Sequence, residues 1–427
     1  MRRHVAARDS KAYRRAEAPC ECPGDDRRAR SRRMPCLLLT AACASTFLVT
    51  GSGVVRAPFL LDMARDLNAS LAATANLFSL TAGAWGVAAL FAGAASDRFG
   101  RLPLLLLAHG LLVGGTVGMA TAGGYAAVAV WTAVAGAGGG CHMGVIFAAL
   151  SDRVADGQRG RAMGWIITGQ SLSFVVGVPF AAWLGTLTDW RGVMLCVAGA
   201  DLVAAVGLWL ALRGPAASAG DAAPASTGAP VSLAAALAVG PRLGMLLAAG
   251  VTERVCFGLV AVYFATLLQL RYGVSLGALT LPLAAMAAGN LLGNALGGSL
   301  ADRLPDRERT FVLSSAATAA LAVALFAWDP GLVGCVALGF LYSFANAIGR
   351  PALMAVLGEA PARTRGALMG FNITCASVGW IAAAALGGLL IERFGPAALA
   401  PPAAAIACLG AWLAARARRL APPAPRP

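Results

Sequence analysis

The sequence predicts an all-α membrane protein with twelve transmembrane helices in two pseudo-symmetric six-helix bundles. Of its 427 residues, 58% are hydrophobic and 13% are charged, whereas soluble domains carry about 25% charged residues. Apolar segments long enough to cross a bilayer recur along the chain, and a charged motif between two of them returns in part 205 positions later. So much apolar surface needs lipid as its solvent, which excludes a soluble globular fold.

Each predicted span is an apolar segment of about 18–25 residues, the length that a helix needs to cross a bilayer. Spans 1 to 6 are predicted at 36–57, 71–95, 103–122, 125–149, 162–184 and 192–212. Spans 7 to 12 are predicted at 243–268, 275–300, 310–328, 331–356, 366–390 and 396–415. Abundant Ala and Gly favour close packing of such helices.

Composition divides the rest of the chain into tails and a linker. Residues 1–34 are predicted to be a disordered basic tail rather than a signal peptide, with Met34 as an alternative start. The N-terminal bundle is predicted at 35–212 and the C-terminal bundle at 243–415. Between them, 213–242 is rich in Ala, Pro, Ser and Gly and is predicted to be a cytoplasmic linker, and 416–427 a cytoplasmic tail.

The distribution of positive charge predicts the orientation. Of 34 Lys and Arg residues, 27 fall in tails and loops on the side of the two termini and 5 in loops on the other side. Cytoplasmic loops carry the excess of Lys and Arg, so both termini are expected in the cytoplasm of a protein that lies in the plasma (inner) membrane. The net charge of +14 is therefore a signal of topology, and no nucleic-acid partner is expected.

The two halves of the chain repeat one plan. The segment Gly93 to Arg98 aligns with Gly298 to Arg303, so Asp97-Arg98 matches Asp302-Arg303. A second match, at nearly the same offset, aligns Gly160, Met163, Gly164 and Thr168 with Gly366, Met369, Gly370 and Thr374. Repeats of six spans predict two similar bundles around a central site near the membrane midplane.

These features resemble the major facilitator superfamily over about 35–415. The loop motif of that family reads Gly-x-Leu-x-Asp-Arg-x-Gly-Arg-Lys. The matching residues here are Gly93, Asp97, Arg98, Gly100 and Arg101. Ala95 and Leu102 stand where the family has Leu and Lys. The resemblance implies a cytoplasmic latch, in which Asp97 docks the halves together by facing the start of span 11 near Arg365-Gly366.

The second copy of the latch motif is predicted to be weaker. By the same resemblance Asp302 would face the start of span 5 near Gly160, with Arg303 beside it. Leu304-Pro305-Asp306 follows and lacks the Gly and the second Arg of the first copy. The two latches are therefore expected to contribute unequally.

Span 5 resembles the fifth span of the proton-driven exporters in the superfamily. The residues that carry this resemblance are Gly169, Gly177 and Pro179. In span 4 the sequence departs from the family, which has an Arg four residues before a Gly, because Thr132 precedes Gly136 here. This departure argues against Arg-centred proton coupling in the first half of the chain.

Ionisable residues inside spans are functional candidates, because charge is costly in a bilayer. Glu253 is the first candidate for proton coupling, and neighbouring Arg254 is expected to point about 100° away from it. Tyr342, Asn346 and Arg350 recur at four-residue spacing and form one polar stripe of span 10. This stripe either lines the substrate cavity together with Arg254 or pairs structurally with another helix, Arg350 with Glu253 being one such pair.

Three further residues are weaker candidates. Asp201 is a second candidate for proton coupling, placed below Glu253 because span 6 is usually peripheral in the family. Arg56 and His142 are substrate-cavity candidates. Arg56 is expected to extend towards the lipid headgroups, and His142 to be a packed or cavity-lining neutral imidazole.

The sequence contains no constellation for an enzyme. The three histidines lack metal-ligand spacing, and there is no phosphate-binding loop, so neither a metal nor another cofactor is expected. The resemblance implies a monomeric secondary transporter of small molecules, with proton-coupled efflux of drugs or metabolites as the first hypothesis. Two alternatives are an uptake permease for an anionic or polar metabolite and a transporter-like membrane sensor.

Overall fold

The computed structural model describes residues 36–154, 158–213, 240–304, 306–359 and 362–420, and the side chains of all these except 362–370 and 373. The predicted N-terminal tail and nearly all of the predicted linker lie outside the described residues. The described chain is helical and contains no strand. Twelve helices are long and apolar enough to cross a membrane, which confirms the predicted fold class.

The spans begin and end close to their predicted positions. Spans 1 to 6 are Cys36–Asp66, Leu71–Phe99, Arg101–Thr121, Tyr125–Ser151, Arg159–Leu184 and Trp190–Arg213. Spans 7 to 10 are Pro241–Tyr272, Gly277–Arg303, Arg307–Ala327 and Gly331–Gly358, span 11 lies in the helix Ala362–Phe394, and span 12 is Pro396–Arg419. Span 1 continues beyond its predicted end through the 3₁₀ turn Ala57–Phe59 and the helix Leu60–Asp66.

Span 5 is interrupted near its middle. Arg159–Leu172 and Val178–Leu184 are α-helical, and Ser173–Gly177 between them is a π-helical turn. Pro179 follows this turn, and because proline has no N–H it cannot complete the regular bonding pattern of an α-helix. Such π-turns are frequently found at functional sites.

Glycine faces bring pairs of helices into backbone contact. In the C-terminal half, an ideal Cβ added at Gly289, Gly293 or Gly297 of span 8 would collide with a carbonyl oxygen of span 10. In the N-terminal half the glycines lie on span 4 instead. There a Cβ at Gly136 would approach the Thr81 carbonyl oxygen of span 2 to 2.6 Å. Equivalent helix pairs therefore pack closely in both halves, as the small-residue pattern predicts.

The two halves meet at one end of the bundle. We call the end with the Asp97 loop the motif face and the other end the opposite face. Three of the hydrogen bonds that join the halves lie between the opposite face and the middle of the spans. The pairs are Ala72 N with Glu392 Oε2 at 2.8 Å, Ser79 Oγ with the Ile381 carbonyl at 3.1 Å, and Gln269 Nε2 with the Pro58 carbonyl at 3.5 Å.

A large hydrophobic core also joins the halves on this side, where Leu60 and Phe78 of the N-terminal half pack with Leu267 and Leu279. The apolar cores nearer the motif face, around Leu105 in one half and Leu353 in the other, stay within their own halves. The interface is therefore closed towards the opposite face.

Candidate functional site

Three charged side chains meet inside the C-terminal half, and we call Glu253, Arg254 and Arg350 the ion cluster. Glu253 lies about 5 Å and Arg350 about 8 Å from the centres of their helices, both on the side of the motif face. The Glu253 side chain is 4% exposed, whereas those of Arg254 and Arg350 are 21% and 17% exposed. The two guanidiniums therefore border accessible space while the carboxylate lies behind them.

The carboxylate of Glu253 contacts both arginines. Arg350 donates from Nη2 and Nε to Oε1 at 2.7 and 3.2 Å, and Arg254 Nε lies 3.5 Å from Oε2. The expectation that neighbouring residues point apart is wrong for this pair, because flexible side chains bring the two groups together. With all three groups ionised, the ion cluster has a formal charge of +1.

The polar stripe of span 10 faces span 7. The Tyr342 hydroxyl is buried and donates to the Cys256 carbonyl at 2.9 Å. Asn346, between Tyr342 and Arg350, is 4% exposed, and its Oδ1 has no hydrogen-bond partner among the described residues. The stripe thus supplies an unpaired buried acceptor one helical turn from the ion cluster.

An aromatic group covers the ion cluster on the side of the opposite face. Phe257, one turn along span 7 from Glu253, lies with its ring 5.1 Å from the Arg350 guanidinium carbon. Its ring centroid is 5.5 Å from that of Phe174 and 5.8 Å from that of Trp380. Phe174 belongs to the π-helical turn of span 5, so this contact joins the two halves near the middle of the spans.

A second polar group lies inside the N-terminal half. His109 Nδ1 is 3.0 and 3.1 Å from the two carboxylate oxygens of Asp201, and its Nε2 is 2.9 Å from Ser45 Oγ. His142 Nδ1 lies 3.5 Å from the same Ser45 oxygen, and its Nε2 lies 3.4 Å from Thr46 Oγ1. We call these five residues, all buried, the histidine network.

The sequence alone indicated only part of the histidine network. Asp201 and His142 were expected as separate candidates, whereas His109 and Ser45 were not expected to take part. The one available signal was that His109 is a lone ionisable residue in an apolar span. Nothing in the spacing along the chain shows that spans 1, 3, 4 and 6 bring these side chains together.

Arg56 does not extend to the membrane surface, so that expectation is wrong. The residue is 2% exposed. Its guanidinium donates to Thr81 Oγ1 at 2.5 Å and Thr132 Oγ1 at 3.2 Å and lies over the Phe78 ring. These hydroxyls accept from its two Nη atoms inside the bundle, while its buried Nε has no hydrogen-bond partner among the described residues. Thr132 is the position where the family has an arginine. Arg56 of span 1 therefore places a guanidinium against span 4 at a position where span 4 itself has none.

At the motif face, Asp97 bonds within its own half. Asp97 Oδ1 is 2.5 Å from Arg101 Nη1, and Arg101 Nε donates to Asp152 Oδ2 at 3.1 Å. The expected contact of Asp97 with the start of span 11 involves side chains outside the described residues. Gly93 and Arg98 lie in the last turns of span 2, and Gly100 in the loop adopts a positive φ of 93°.

The second copy of the motif differs from its prediction. Arg307 binds Glu359, as Arg101 binds Asp152 at the equivalent place in the other half. Arg307 is therefore the counterpart of Arg101, and it lies one position later than the sequence alignment of the two halves predicts. Asp302 and Arg303 are exposed, and an ideal Cβ at Gly160, the expected partner of Asp302, has no atom within 4 Å.

The fifth-span motif positions span 5 against span 1. An ideal Cβ at Gly169 would collide with the Cys43 carbonyl, and one at Gly177 would lie 3.4 Å from the Phe47 ring. Ser173 donates to the Phe47 carbonyl at 2.5 Å. Pro179 is buried two residues after the π-helical turn. No group of three or more metal-ligating side chains occurs among the described residues.

A family model described as "Major Facilitator Superfamily" matches residues 41–334 and 254–427. The chain belongs to the major facilitator superfamily. With its twelve membrane-capable helices it is a multi-pass membrane protein, and members of this family are typically non-enzymatic carriers.

Two curated proteins match shorter stretches of the chain. One is an "Uncharacterized MFS-type transporter YwfA" of Bacillus subtilis, 28% identical over 37% of this chain and 38% of its own length. The other is a "Transcription regulatory protein OpdE" of Pseudomonas aeruginosa, 44% identical over 12% of this chain and 13% of its own length. The matched stretches thus span well under two thirds of these relatives.

Solved structures share the whole fold. A bacterial homologue of the human lysosomal transporter Spinster, in an inward-facing and occupied conformation, has a TM-score of 0.73 at 16% identity, covering 89% of this chain and 96% of its own. A D-xylose-proton symporter has a TM-score of 0.70 at 16% identity, covering 90% of this chain and 98% of its own. At this identity the likeness shows the fold alone.

Proposed function

We propose that this protein is a secondary transporter that takes up a small organic anion together with protons by alternating access. The observation that supports this function is the ion cluster, in which two partly exposed arginines share one carboxylate. Its formal charge of +1 is costly within a bilayer unless a further negative charge neutralises it. A carboxylate or phosphate group of a substrate would supply that charge, and guanidinium groups bind both in bidentate geometry.

Glu253 couples the substrate to the proton. When Glu253 is ionised it occupies Arg350, the residue that an incoming anion needs. Protonation of Glu253 removes that competitor and releases the N–H groups of Arg350. The proton and the anion therefore favour each other's binding, which is the thermodynamic condition for moving them in the same direction.

We place the motif face in the cytoplasm of a plasma-membrane protein, because the excess of Lys and Arg lies on that side. The structure then represents a state closed towards the outside, with the ion cluster bordering the cytoplasmic side. In such a state bound anion and proton would leave into the cytoplasm. Reopening the opposite face would break the contact of Phe257 with Phe174.

Transport by purified protein in proteoliposomes tests this function. A panel of radiolabelled mono- and dicarboxylates is offered outside vesicles with an alkaline interior. We expect accumulation that a protonophore abolishes. Glu253→Gln should lose accumulation driven by the pH gradient but retain exchange of substrate for substrate. Arg350→Gln should raise KM about tenfold or more, because a charge-assisted hydrogen bond contributes about 1.5–3 kcal/mol.

The exposed pair Asp62 and Arg65, whose side chains are 42% and 77% exposed, provides the matched control. Asp62→Asn and Arg65→Gln make the same chemical changes away from the ion cluster and should transport as the unmodified protein does. Accumulation that is indifferent to the pH gradient, or that survives in Glu253→Gln, would reject the role of Glu253. Transport confined to cations would reject the anion.

A second candidate function is proton-driven efflux of small amphipathic molecules. It is favoured by the fifth-span motif, which resembles that of proton-driven exporters, and by the aromatic side chains Phe174, Phe257 and Trp380 beside the ion cluster. Cells expressing the protein would then retain less of an amphipathic cation when energised. Everted vesicles would take that cation up as they release protons, the reverse of the flux expected for anion uptake.

A further inference from the structure

The ionisable side chains that the structure describes within the membrane in the N-terminal half are those of the histidine network, Arg56 and three cysteine thiols. The network joins four helices, with Ser45 and Thr46 on span 1, His109 on span 3, His142 on span 4 and Asp201 on span 6. The proposed anion site in the other half does not use any of these residues. Burying polar groups costs free energy unless each group has a hydrogen-bond partner or a function. Here four fully buried polar contacts connect four spans.

One assignment of hydrogen atoms satisfies all the contacts of the network. His109 donates from Nδ1 to Asp201, which leaves Nε2 to accept from the Ser45 hydroxyl. The Ser45 oxygen then accepts from His142 Nδ1, and His142 Nε2 accepts from the Thr46 hydroxyl. All donors thus point the same way, towards the carboxylate.

Such an arrangement can move a proton along its length. A proton that binds His142 Nε2 allows the proton on Nδ1 to pass to Ser45, and the Ser45 proton to pass to His109 Nε2. The product is an imidazolium on His109 beside the Asp201 carboxylate, with Ser45 and His142 again neutral. No bond other than those to the transferred protons changes, and the charge of the network rises by one.

The surroundings favour uptake of that proton. Without it, the network has the unpaired negative charge of Asp201, whose only ion-pair partner among the described residues is His109. The helices packed on the network, spans 1 to 6, have their other charged groups at their ends apart from Arg56, which bonds Thr81 and Thr132. The remaining titratable groups within the membrane on these helices are the thiols of Cys43, Cys141 and Cys196.

We propose that Asp201, His109, Ser45 and His142 form a proton-binding site of the N-terminal half, separate from Glu253, with His109 holding the exchangeable proton. Proton binding at this site rests on its own geometry, and its use during transport rests on the proposed function. Imidazole is suited to this task because it ordinarily titrates near neutral pH. A loaded site pairs His109 with Asp201 and so draws span 3 and span 6 together.

Nitrogen NMR of histidine-labelled protein in lipid nanodiscs tests the site without transport. The chain has three histidines, of which His4 lies in the N-terminal tail, so His4→Gln leaves only the signals of His109 and His142. Between about pH 5 and pH 8 we expect His109 to change from one protonated nitrogen to two. Proton release measured with a soluble indicator should fall by about one proton per molecule in His109→Gln, and should not fall beyond the contribution of the tail imidazole in His4→Gln.

Ser45→Ala retains all three ionisable side chains but removes the link between the imidazoles. It should leave His109 able to gain the second proton but remove the accompanying change in the His142 signal, and it serves where Asp201→Asn fails to fold. A His109 signal that stays in one neutral form throughout the range would overturn the site. If Glu253→Gln loses proton coupling while the His109 titration is unchanged, only the proposed anion site is affected. If proton-driven uptake occurs while the histidine signals do not change with pH, only this inference is rejected.

Discussion

At the scale of single residues, the protein places its charges in two contrasting environments. Glu253 lies between two arginines, whereas Asp201 has only the imidazole of His109 as an ionic partner in the described part of the chain. Arg56 has no carboxylate partner among the described residues. The hydroxyls of Thr132 and Thr81 accept from its Nη1 and Nη2, while its buried Nε has no partner there. A buried charge is tolerated only where hydrogen bonds or counter-charges replace water, so each of these residues depends on neighbours from other helices.

The Glu253–Arg350 pair should show strong energetic coupling. Removing Glu253 leaves two arginines without a counter-charge, and breaking a buried pair in this way costs about 3–5 kcal/mol. Removing Arg350 costs less, because Glu253 keeps Arg254 as a partner at 3.5 Å, but it still removes two hydrogen bonds to the carboxylate. Arg350→Gln and Glu253→Gln are therefore each expected to lower the thermal stability of the purified protein. The double variant should lose less than the sum of the two single losses, with a coupling of about 0.5–3 kcal/mol.

The same double-mutant cycle on the exposed Asp62–Arg65 pair gives the comparison, and coupling near zero is expected there. Fluorescence-monitored melting in one detergent measures all variants. Additive losses for Glu253 and Arg350 would contradict the ion pair.

At the scale of helices, packing is set by where glycine allows backbones to touch. Span 8 presents Gly289, Gly293 and Gly297 to span 10, which frees the other side of span 10 to direct Tyr342, Asn346 and Arg350 at span 7. In the N-terminal half the glycines lie on span 4 itself. The equivalent face of span 4 is therefore used for packing, and the polar groups are contributed by spans 1, 3 and 6 and by His142.

Gly293→Ala should separate spans 8 and 10. An ideal Cβ there collides with the Phe344 carbonyl oxygen, a backbone atom that cannot rotate away. We expect a loss of about 1–3 kcal/mol, as for other overpacked sites, and weaker transport because Arg350 shifts with span 10. Thermal melting and uptake are the measurements.

Gly298→Ala on the same helix is the matched control. An ideal Cβ at Gly298 has no atom within 4 Å, and alanine favours a helix more than glycine does. This variant should be as stable as the unmodified protein or slightly more so. Equal effects at Gly293 and Gly298 would show that the small-residue face does not set the helix spacing.

At the scale of the whole molecule, the two halves are held by apolar contacts at the opposite face and by few polar bonds. Each half also contains its own ionic bridge at the motif face, Arg101 with Asp152 and Arg307 with Glu359. These bridges join the start of one span to the end of the next within a half. They stiffen each bundle so that it can move as a unit, while the contacts between halves form and break.

Asp97→Asn should reduce transport while leaving the fold intact. The change removes the charge that binds Arg101 in this state and, by the family resemblance, docks the halves in the other state. Asp302→Asn is the matched control, because Asp302 is exposed and forms no ion pair with a described residue, and it should transport more than Asp97→Asn. Uptake per molecule in proteoliposomes is the measurement, and normal uptake by well-folded Asp97→Asn would contradict the latch.

The sequence by itself determined the twelve spans, the two-fold repeat and the family, because these depend on segment length, hydropathy and motifs that are local in the chain. It also predicted Glu253 and Arg350 as candidate functional residues. Only the tertiary structure decided that these two form a pair, that Arg56 is buried at Thr132, and that His109 connects Asp201 to His142. Such contacts join residues far apart in sequence, and hydrophobic periodicity does not specify which helices become neighbours or how each is rotated.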